Sequence, residues 1–202
     1  PGEITLVEGA DSSRIFTSRN PVSGFNDVIV TDCFGTNERV INEKFEGGSL
    51  RAILEVQDDT LSTLIGKNNE LAVNLVDQIN SVHQQGFGAG DYSESRGRSF
   101  FKGIVDPGQA AQMIDLDDAI VASTDAISAA SSPNAIGDNV IANDLVRLKD
   151  SKFMADGAAT LTEFYANFVG DLGLDVVRSE HLKDADKVVL DDLNTRREAI
   201  SG

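Results

Sequence analysis

Acidic side chains cluster in one stretch of the chain, and carboxylates are groups that bind divalent cations or carry out acid–base chemistry. No basic residue occurs between Lys102 and Arg147, whereas seven aspartates do, and Asp115, Asp117 and Asp118 lie closest together. In an extended segment, Asp115 and Asp117 point to one face of the strand without converging on a common point. We therefore favour a solvated acidic edge over a weak divalent-cation site and predict no metal site here.

Two glycine-containing segments resemble ligand-binding loops only superficially. Residues 90–97 (GDYSESRG) lack the ladder of Asp and Asn, the central Gly and the final Glu of a calcium loop. Residues 86–90 (GFGAG) follow a predicted helix, whereas phosphate-binding loops follow a strand and open a helix. We predict a flexible loop over residues 86–99 with no cofactor in it.

Candidate nucleophiles and bases are few. His83 and His181 lie on predicted helices with no Ser or Cys at a spacing that would let either histidine activate it. Cys33 follows Asp32, and an acidic neighbour does not lower the pKa of a thiol, so Cys33 is predicted to be a small buried apolar residue. We assign no catalytic, cofactor-binding or metal-binding residue and predict that the chain is not an enzyme.

Composition narrows the function classes further. The 202 residues carry 17 basic and 33 acidic side chains, a net charge of −16, which disfavours binding to nucleic acids or anionic membranes. The single cysteine excludes an internal disulfide framework. No apolar run approaches the ~20 residues of a membrane span. Aromatic residues make up 6% of the chain, so a core must rest on Leu, Ile, Val and Ala.

The sequence predicts two long helices as the scaffold of the protein. Leucine recurs from Leu50 to Leu75 at alternating steps of four and three residues, the spacing of a heptad seam. Gln57 and Asn68 are polar residues at two of these positions. Those polar residues are either exposed edges of an intramolecular bundle or determinants of how a rod stacks against its neighbours. Gly86 predicts a left-handed helix stop. A second helix of about forty residues begins at a capping box, Thr160 to Glu163.

The predicted fold class is α+β: an elongated antiparallel helical bundle of two long helices plus shorter ones, with a small β-rich outer domain. Residues 1–46, with short strand runs such as residues 27–31, are too few for an independent sandwich, so we expect a small sheet that leans on another element. Residues 111–114 are a possible strand, and Asp138 is predicted to cap a shorter helix over 139–150. The predicted parts are 1–46, the strand-rich part of the outer domain; 47–99, a long helix and loop; 100–135, strands and turns returning to the β domain; and 136–202, helices completing the rod.

Several segments resemble a known family, in order and with matching spacing from about residue 47 to 202. They are residues 48–54 (GSLRAIL), 71–87 (LAVNLVDQINSVHQQGF), 100–101 (FF), 138–148, 164–169 (FYANFV) and 193–202 (LNTRREAISG). The chain is similar to the bacterial flagellar hook-associated protein of the hook–filament junction, the FlgK family. Residues 1–46 are consistent with the outer domain of that family but carry no motif.

The resemblance implies a structural role in the bacterial flagellum, without catalytic residues or cofactors. It implies export through the flagellar type III pathway without a cleaved signal peptide, and an extracellular ring at the distal end of the hook. The implied partners of the full-length protein are further copies of itself, the hook protein, the second junction protein and flagellin, while the fragment itself can be a monomer. The family's β insertion after FF is nearly absent and its terminal core helices are missing, so we expect a small outer domain and a trimmed chain.

Three other readings remain open at this point. Another axial protein of the flagellum, such as flagellin, is the nearest. An extracellular adhesion or binding module on a helical stalk would bind a glycan or protein through its β region alone. An enzyme would require a convergent carboxylate or histidine site, and substitution of His83 or Cys33 would then abolish turnover.

Overall fold

The computed structural model describes residues 6–8, 11–32, 35 and 37–201. The chain divides into two compact units, residues 1–66 and 67–202. Cys33 lies outside the described residues, so its predicted burial stays a prediction. Long helices with small antiparallel sheets make up the structure, which confirms the predicted α+β class.

The first unit is a small sheet packed on the start of the first long helix. A short hairpin, β1 (Val7–Glu8) and β2 (Asp11–Ser12), precedes an antiparallel sheet of order β3–β4–β5, formed by β3 (Arg14–Arg19), β4 (Asn26–Thr31) and β5 (Glu38–Val40). Apolar residues alternate along β4, so Val28 and Val30 point to one face, where they are buried with Ile41 and Leu54. The predicted dependence of the sheet on another element is thereby explained, because Leu54 belongs to helix α1.

The first long helix is continuous but not uniform. It runs through α1 (Gly48–Glu55), a π-helical segment (Val56–Leu61) and α2 (Ser62–His83). A π-helical turn takes more residues than an α turn and therefore rotates the faces that follow it. The buried residues of α2 are Asn69, Ala72, Val76, Asn80 and His83, each one position after a predicted seam position. The seam predicted at Asn68, Leu71 and Leu75 is therefore displaced by one residue.

Between the long helices, residues 100–135 lie in the second unit, not with the β strands of the first. They contain α3 (Ala110–Met113) and α4 (Asp118–Ala122). The strand predicted over residues 111–114 is wrong, because Asp106 caps a 3₁₀ turn, Pro107–Gln109, that leads directly into α3. Antiparallel bridges join Phe87 to Ala130 and Phe101 to Leu116.

The end of the first helix also differs from expectation. Gly86 is not among the glycines with a positive φ, so it is not the predicted left-handed stop. Glycine is required there by space, because a Cβ at Gly86 would lie 2.8 Å from Ser128 Cβ and 2.9 Å from Ile141 Cγ1. The helix end is thus held by close packing of two later segments against it.

The shorter predicted helix is present as α5 (Val140–Arg147), which a 3₁₀ turn, Leu148–Asp150, extends. Asp138 Oδ1 accepts a hydrogen bond of 3.0 Å from the Val140 N–H, but the N-cap of α5 is Asn139, so the helix begins one residue later than predicted. Ile141 is buried, whereas its neighbour Val140 is 47% exposed.

The second long helix, α6 (Leu161–Ser201), follows the hairpin of β6 (Lys152–Met154) and β7 (Ala159–Thr160). Its capping box is confirmed: Thr160 Oγ1 accepts from the Glu163 N–H at 3.2 Å, and Glu163 Oε2 accepts from the Thr160 N–H at 2.9 Å. Within the second unit, α2 and the start of α6 run antiparallel. Lys67 Nζ contacts Asp171 Oδ2 at 2.8 Å, while Leu75 and Leu161 line one apolar groove farther along.

Candidate functional site: the polar face of α2 and the seam of α6

The inner side of α2 carries polar side chains that bind backbone. We call Asn69, Asn80 and His83 the polar face of α2; their exposed fractions are 7%, 9% and 0%. Buried polar groups must be hydrogen-bonded, and each of these binds a segment distant in sequence. The polar face therefore fixes the irregular segments of the second unit to a rigid helix.

The two asparagines each hold one turn of chain. Asn80 Oδ1 accepts from the N–H groups of Phe100 and Phe101, at 2.8 and 2.9 Å, and Asn80 Nδ2 donates to the Phe101 carbonyl at 3.0 Å. Asn69 Nδ2 donates to the Gly108 carbonyl, and Asn69 Oδ1 accepts from the Ala111 N–H at 2.9 Å. An amide side chain carries both a donor and an acceptor, so it can bind the N–H and the carbonyl groups of a segment as a neighbouring backbone would.

His83 joins two loops at the end of α2. Its Nε2 accepts a hydrogen bond of 2.8 Å from the Ser128 N–H, and its Nδ1 lies 2.9 Å from the Arg98 carbonyl oxygen. Because Ser128 N–H can only donate, Nε2 must be unprotonated and Nδ1 must carry the proton. Burial lowers the pKa of His83 below its ordinary value, and the nearby Arg98 cation acts in the same direction.

Arg98 braces the same loops from the other side. Its guanidinium donates to the carbonyl of Ser95 at 2.7 Å and to that of Ala126 at 3.3 Å. The guanidinium carbon also lies 4.9 Å from the centre of the Tyr92 ring, a cation–π distance. His83 and Arg98 therefore hold the loop of residues 86–99 and the segment around Ser128 in one arrangement.

The acidic segment contains an ion-pair cluster. Lys102 Nζ lies 3.0 Å from Asp115 Oδ2 and 2.9 Å from Asp118 Oδ1, while Asp117 accepts from the Ala119 N–H at the start of α4. Hydrogen bonding to Lys102 lowers the pKa of Asp115, and the two carboxylates raise the pKa of Lys102. These side chains are exposed, in keeping with a solvated edge.

The other candidate residues do not come together. Glu94, in the loop compared with a calcium site, accepts from Asn134 Nδ2, and His181 is exposed on α6. Within residues 6–8, 11–32, 35 and 37–201, no three or more His, Cys, Asp or Glu side chains are grouped so that they could hold a metal ion. No helix in the same residues has the length and apolarity needed to cross a bilayer.

A second polar joint lies in the first unit. Asn42 is buried beside β4, where its Oδ1 accepts from the Val28 N–H at 2.8 Å. Its Nδ2 donates to Asp27 Oδ1 and to Asp58 Oδ2, both at 3.1 Å. Gln57, predicted from the sequence as a polar seam residue, donates to the Asn26 carbonyl at 2.9 Å. The π-helical segment thus carries two side chains that attach the small sheet to the helix.

Most of α6 lacks a partner within the described part of the chain. From Gly173 to Ile200, every residue is exposed. Between Leu172 and Ile200, apolar residues occupy five of the nine heptad positions, and Asp175, Ser179, Asp186 and Arg196 occupy the other four; we call Leu172, Leu182, Val189, Leu193 and Ile200 the α6 seam. An isolated helix with exposed Val and Leu gains little from burial, so a seam of this kind is typical of a helix that packs in an assembly.

The buried polar groups of α2 bind the backbone of this chain, and the α6 seam is largely exposed. The family described as "Flagellar hook-associated protein FlgK helical domain" matches residues 1–101, half of the chain. The chain belongs to this family, which consists of structural flagellar proteins and is not a known enzyme family. The match includes residues 1–46, in which sequence analysis finds no motif.

A curated relative agrees with the family match. The chain is 28% identical over 138 residues to flagellar hook-associated protein 1 of Bacillus subtilis (strain 168), which covers 66% of this chain and 27% of that protein. The chain therefore spans about a quarter of the length of the relative. Together, the matches place the chain among flagellar hook-associated structural proteins.

Sequence reasoning missed the polar face of α2 although one signal was present. The sequence contains Asn69, Asn80 and His83 at helical spacing, but the heptad reading directs attention to Asn68. The buried face of α2 is displaced by one residue after the π-helical segment, and that segment has no sequence signature as clear as a helix cap.

Proposed function

We propose that the chain is part of a junction subunit that connects the flagellar hook to the filament. Membership of the hook-associated family supports this proposal, and the observation that carries it is the α6 seam, a helical surface left for other helices to cover. Residues 1–46 would contribute to a small outer β domain, and the helices of residues 47–99 and 136–202 to the rod that bears load along the flagellum.

The proposed partners of the full-length protein are further copies in a ring, the hook protein, the second junction protein and flagellin. We also propose an extracellular location reached through the flagellar type III pathway without a cleaved signal peptide.

The charge pattern of α6 limits which faces of two copies can meet. Heptad positions between the apolar residues of α6 are occupied by Asp175, Asp186 and Arg196, so a parallel pair of α6 helices would face like charges with like. The ring contacts should therefore use other faces or partners.

Deletion of the gene, with electron microscopy of the cells, tests the proposal. A junction subunit predicts hooks without attached filaments, with flagellin released into the medium, and antibody label on wild-type flagella only where hook meets filament. A flagellin-like protein predicts label along the whole filament. An adhesion module predicts intact filaments in the deletion strain, and either of these two results would refute the proposal.

A further inference from the structure

His83 is the one buried histidine in the described residues, and its ring can bind a second proton only by losing one of its hydrogen bonds. Both ring nitrogens are already engaged: Nδ1 lies 2.9 Å from the Arg98 carbonyl oxygen, and Nε2 lies 2.8 Å from the Ser128 nitrogen. The Phe100 ring covers one side edge-on, with a centroid distance of 5.5 Å. The side chain is 0% exposed, so water cannot replace either bond without local opening.

Protonation of this ring would turn one of its hydrogen bonds into a repulsive contact. A proton on Nε2 would oppose the N–H of Ser128, because two donors cannot share a hydrogen bond. The charged groups that face the ring are Arg98, which disfavours a second cation, and Asp117, which favours one. Burial outweighs Asp117, since desolvation has the largest effect on the pKa of His83 and lowers it.

We propose that His83 is an acid-sensitive clasp: uptake of one proton at Nε2 breaks the bond to Ser128 and releases residues 123–131 from the end of α2. The bond uses the side chain of His83 at the end of α2, so the backbone hydrogen bonds of the long helices do not depend on it and these helices remain folded. The released segment includes Ala130, whose backbone pairs with Phe87, and Ser128, whose side chain packs at Gly86. Acid therefore loosens one end of the second unit without unfolding the whole chain.

The pH range follows from linkage. A histidine that binds its proton more weakly when folded contributes stability that is fully present above its unfolded pKa of about 6.5. That contribution is lost as the pH falls below this value toward the folded pKa. One pH unit below 6.5, the equilibrium between closed and open clasp should have shifted toward the open form by up to about tenfold.

Amide hydrogen exchange by NMR tests the clasp, with the second histidine as an internal control. In the wild-type chain, the protection factor of the Ser128 amide should fall by up to about tenfold between pH 7.5 and pH 5.5. His181→Gln, which changes the exposed histidine on α6, should show the same fall. His83→Gln places a neutral amide that can accept from Ser128 and donate to Arg98, so its Ser128 protection should not change with pH.

Nitrogen chemical shifts of the two imidazoles provide a second measurement that needs no variant. At pH 7.5, His83 should be the Nδ1–H tautomer, and its pKa should lie below the ordinary value of a histidine. The clasp is refuted if His83 carries its proton on Nε2 at pH 7.5. It is equally refuted by wild-type Ser128 protection that stays constant down to pH 5.5, or by an equal loss of protection in His83→Gln.

Discussion

Asn80→Ala removes the polar contact that fixes the start of the Phe100–Phe101 segment to α2. The variant leaves the N–H groups of Phe100 and Phe101 without the acceptor that binds both of them. Asn80 is 9% exposed, so water does not readily take its place. Each buried polar group left unsatisfied costs about 1–3 kcal/mol, and the two N–H groups together cost about 2–6 kcal/mol.

A part of that loss is recovered in the helix itself, because alanine is a better helix former than asparagine by roughly 0.6 kcal/mol. The expected net decrease in the free energy of unfolding is therefore about 1–5 kcal/mol. Urea unfolding followed by circular dichroism measures it as a lower midpoint with an unchanged slope. Amide exchange should also rise selectively at residues 100 and 101.

Asn68→Ala is the matched control on the same helix. Asn68 is exposed, so the same substitution should leave stability unchanged or raise it by up to roughly 0.7 kcal/mol through helix propensity alone. The heptad read directly from the sequence places Asn68 in the seam and so predicts the opposite ranking. Equal urea midpoints for the two variants, or a larger loss for Asn68→Ala, would refute the assignment of the polar face.

Two further substitutions test the packing of the second unit. Gly88→Ala would place a Cβ against the backbone carbonyl oxygen of Asp125, and overpacking of this kind costs about 1–3 kcal/mol. Gly103→Ala is the control, because a Cβ there meets nothing within 4 Å. Thermal unfolding should therefore show a lower Tm for Gly88→Ala alone. Thr160→Ala removes the cap of α6 and should cost about 1 kcal/mol in a urea titration, with faster amide exchange at Glu163; no change in that exchange rate would contradict the capping box.

Local signals in the sequence predicted the elements whose causes are local. The capping box at Thr160 and Glu163 depends on residues three positions apart, and it was found where predicted. Heptad spacing likewise identified both long helices. The α+β class and the family resemblance rest on these same stretches and are confirmed.

Features that depend on distant contacts were not predicted. Strand β3 (Arg14–Arg19) was not singled out, because its side chains are mostly exposed and its pairing with β4 supplies the order. The burial of Asn69, Asn80 and His83 depends on loops up to 45 residues away, as the bond between His83 and Ser128 illustrates. A periodic pattern gives the existence of a helix, but a one-residue insertion such as the π-helical segment changes which face is buried.

The unpartnered helix carries the functional claim, and adjacent residues on it provide a direct test in the full-length protein. Val189 belongs to the α6 seam and is 57% exposed, while its neighbour Val188 lies off the seam and is 69% exposed. The fraction of hooks that bear filaments, counted by electron microscopy in a deletion strain complemented with each variant, should drop for Val189→Glu and stay at the wild-type level for Val188→Glu. Equal filament attachment for both variants would contradict a role for the seam in joining the hook to the filament.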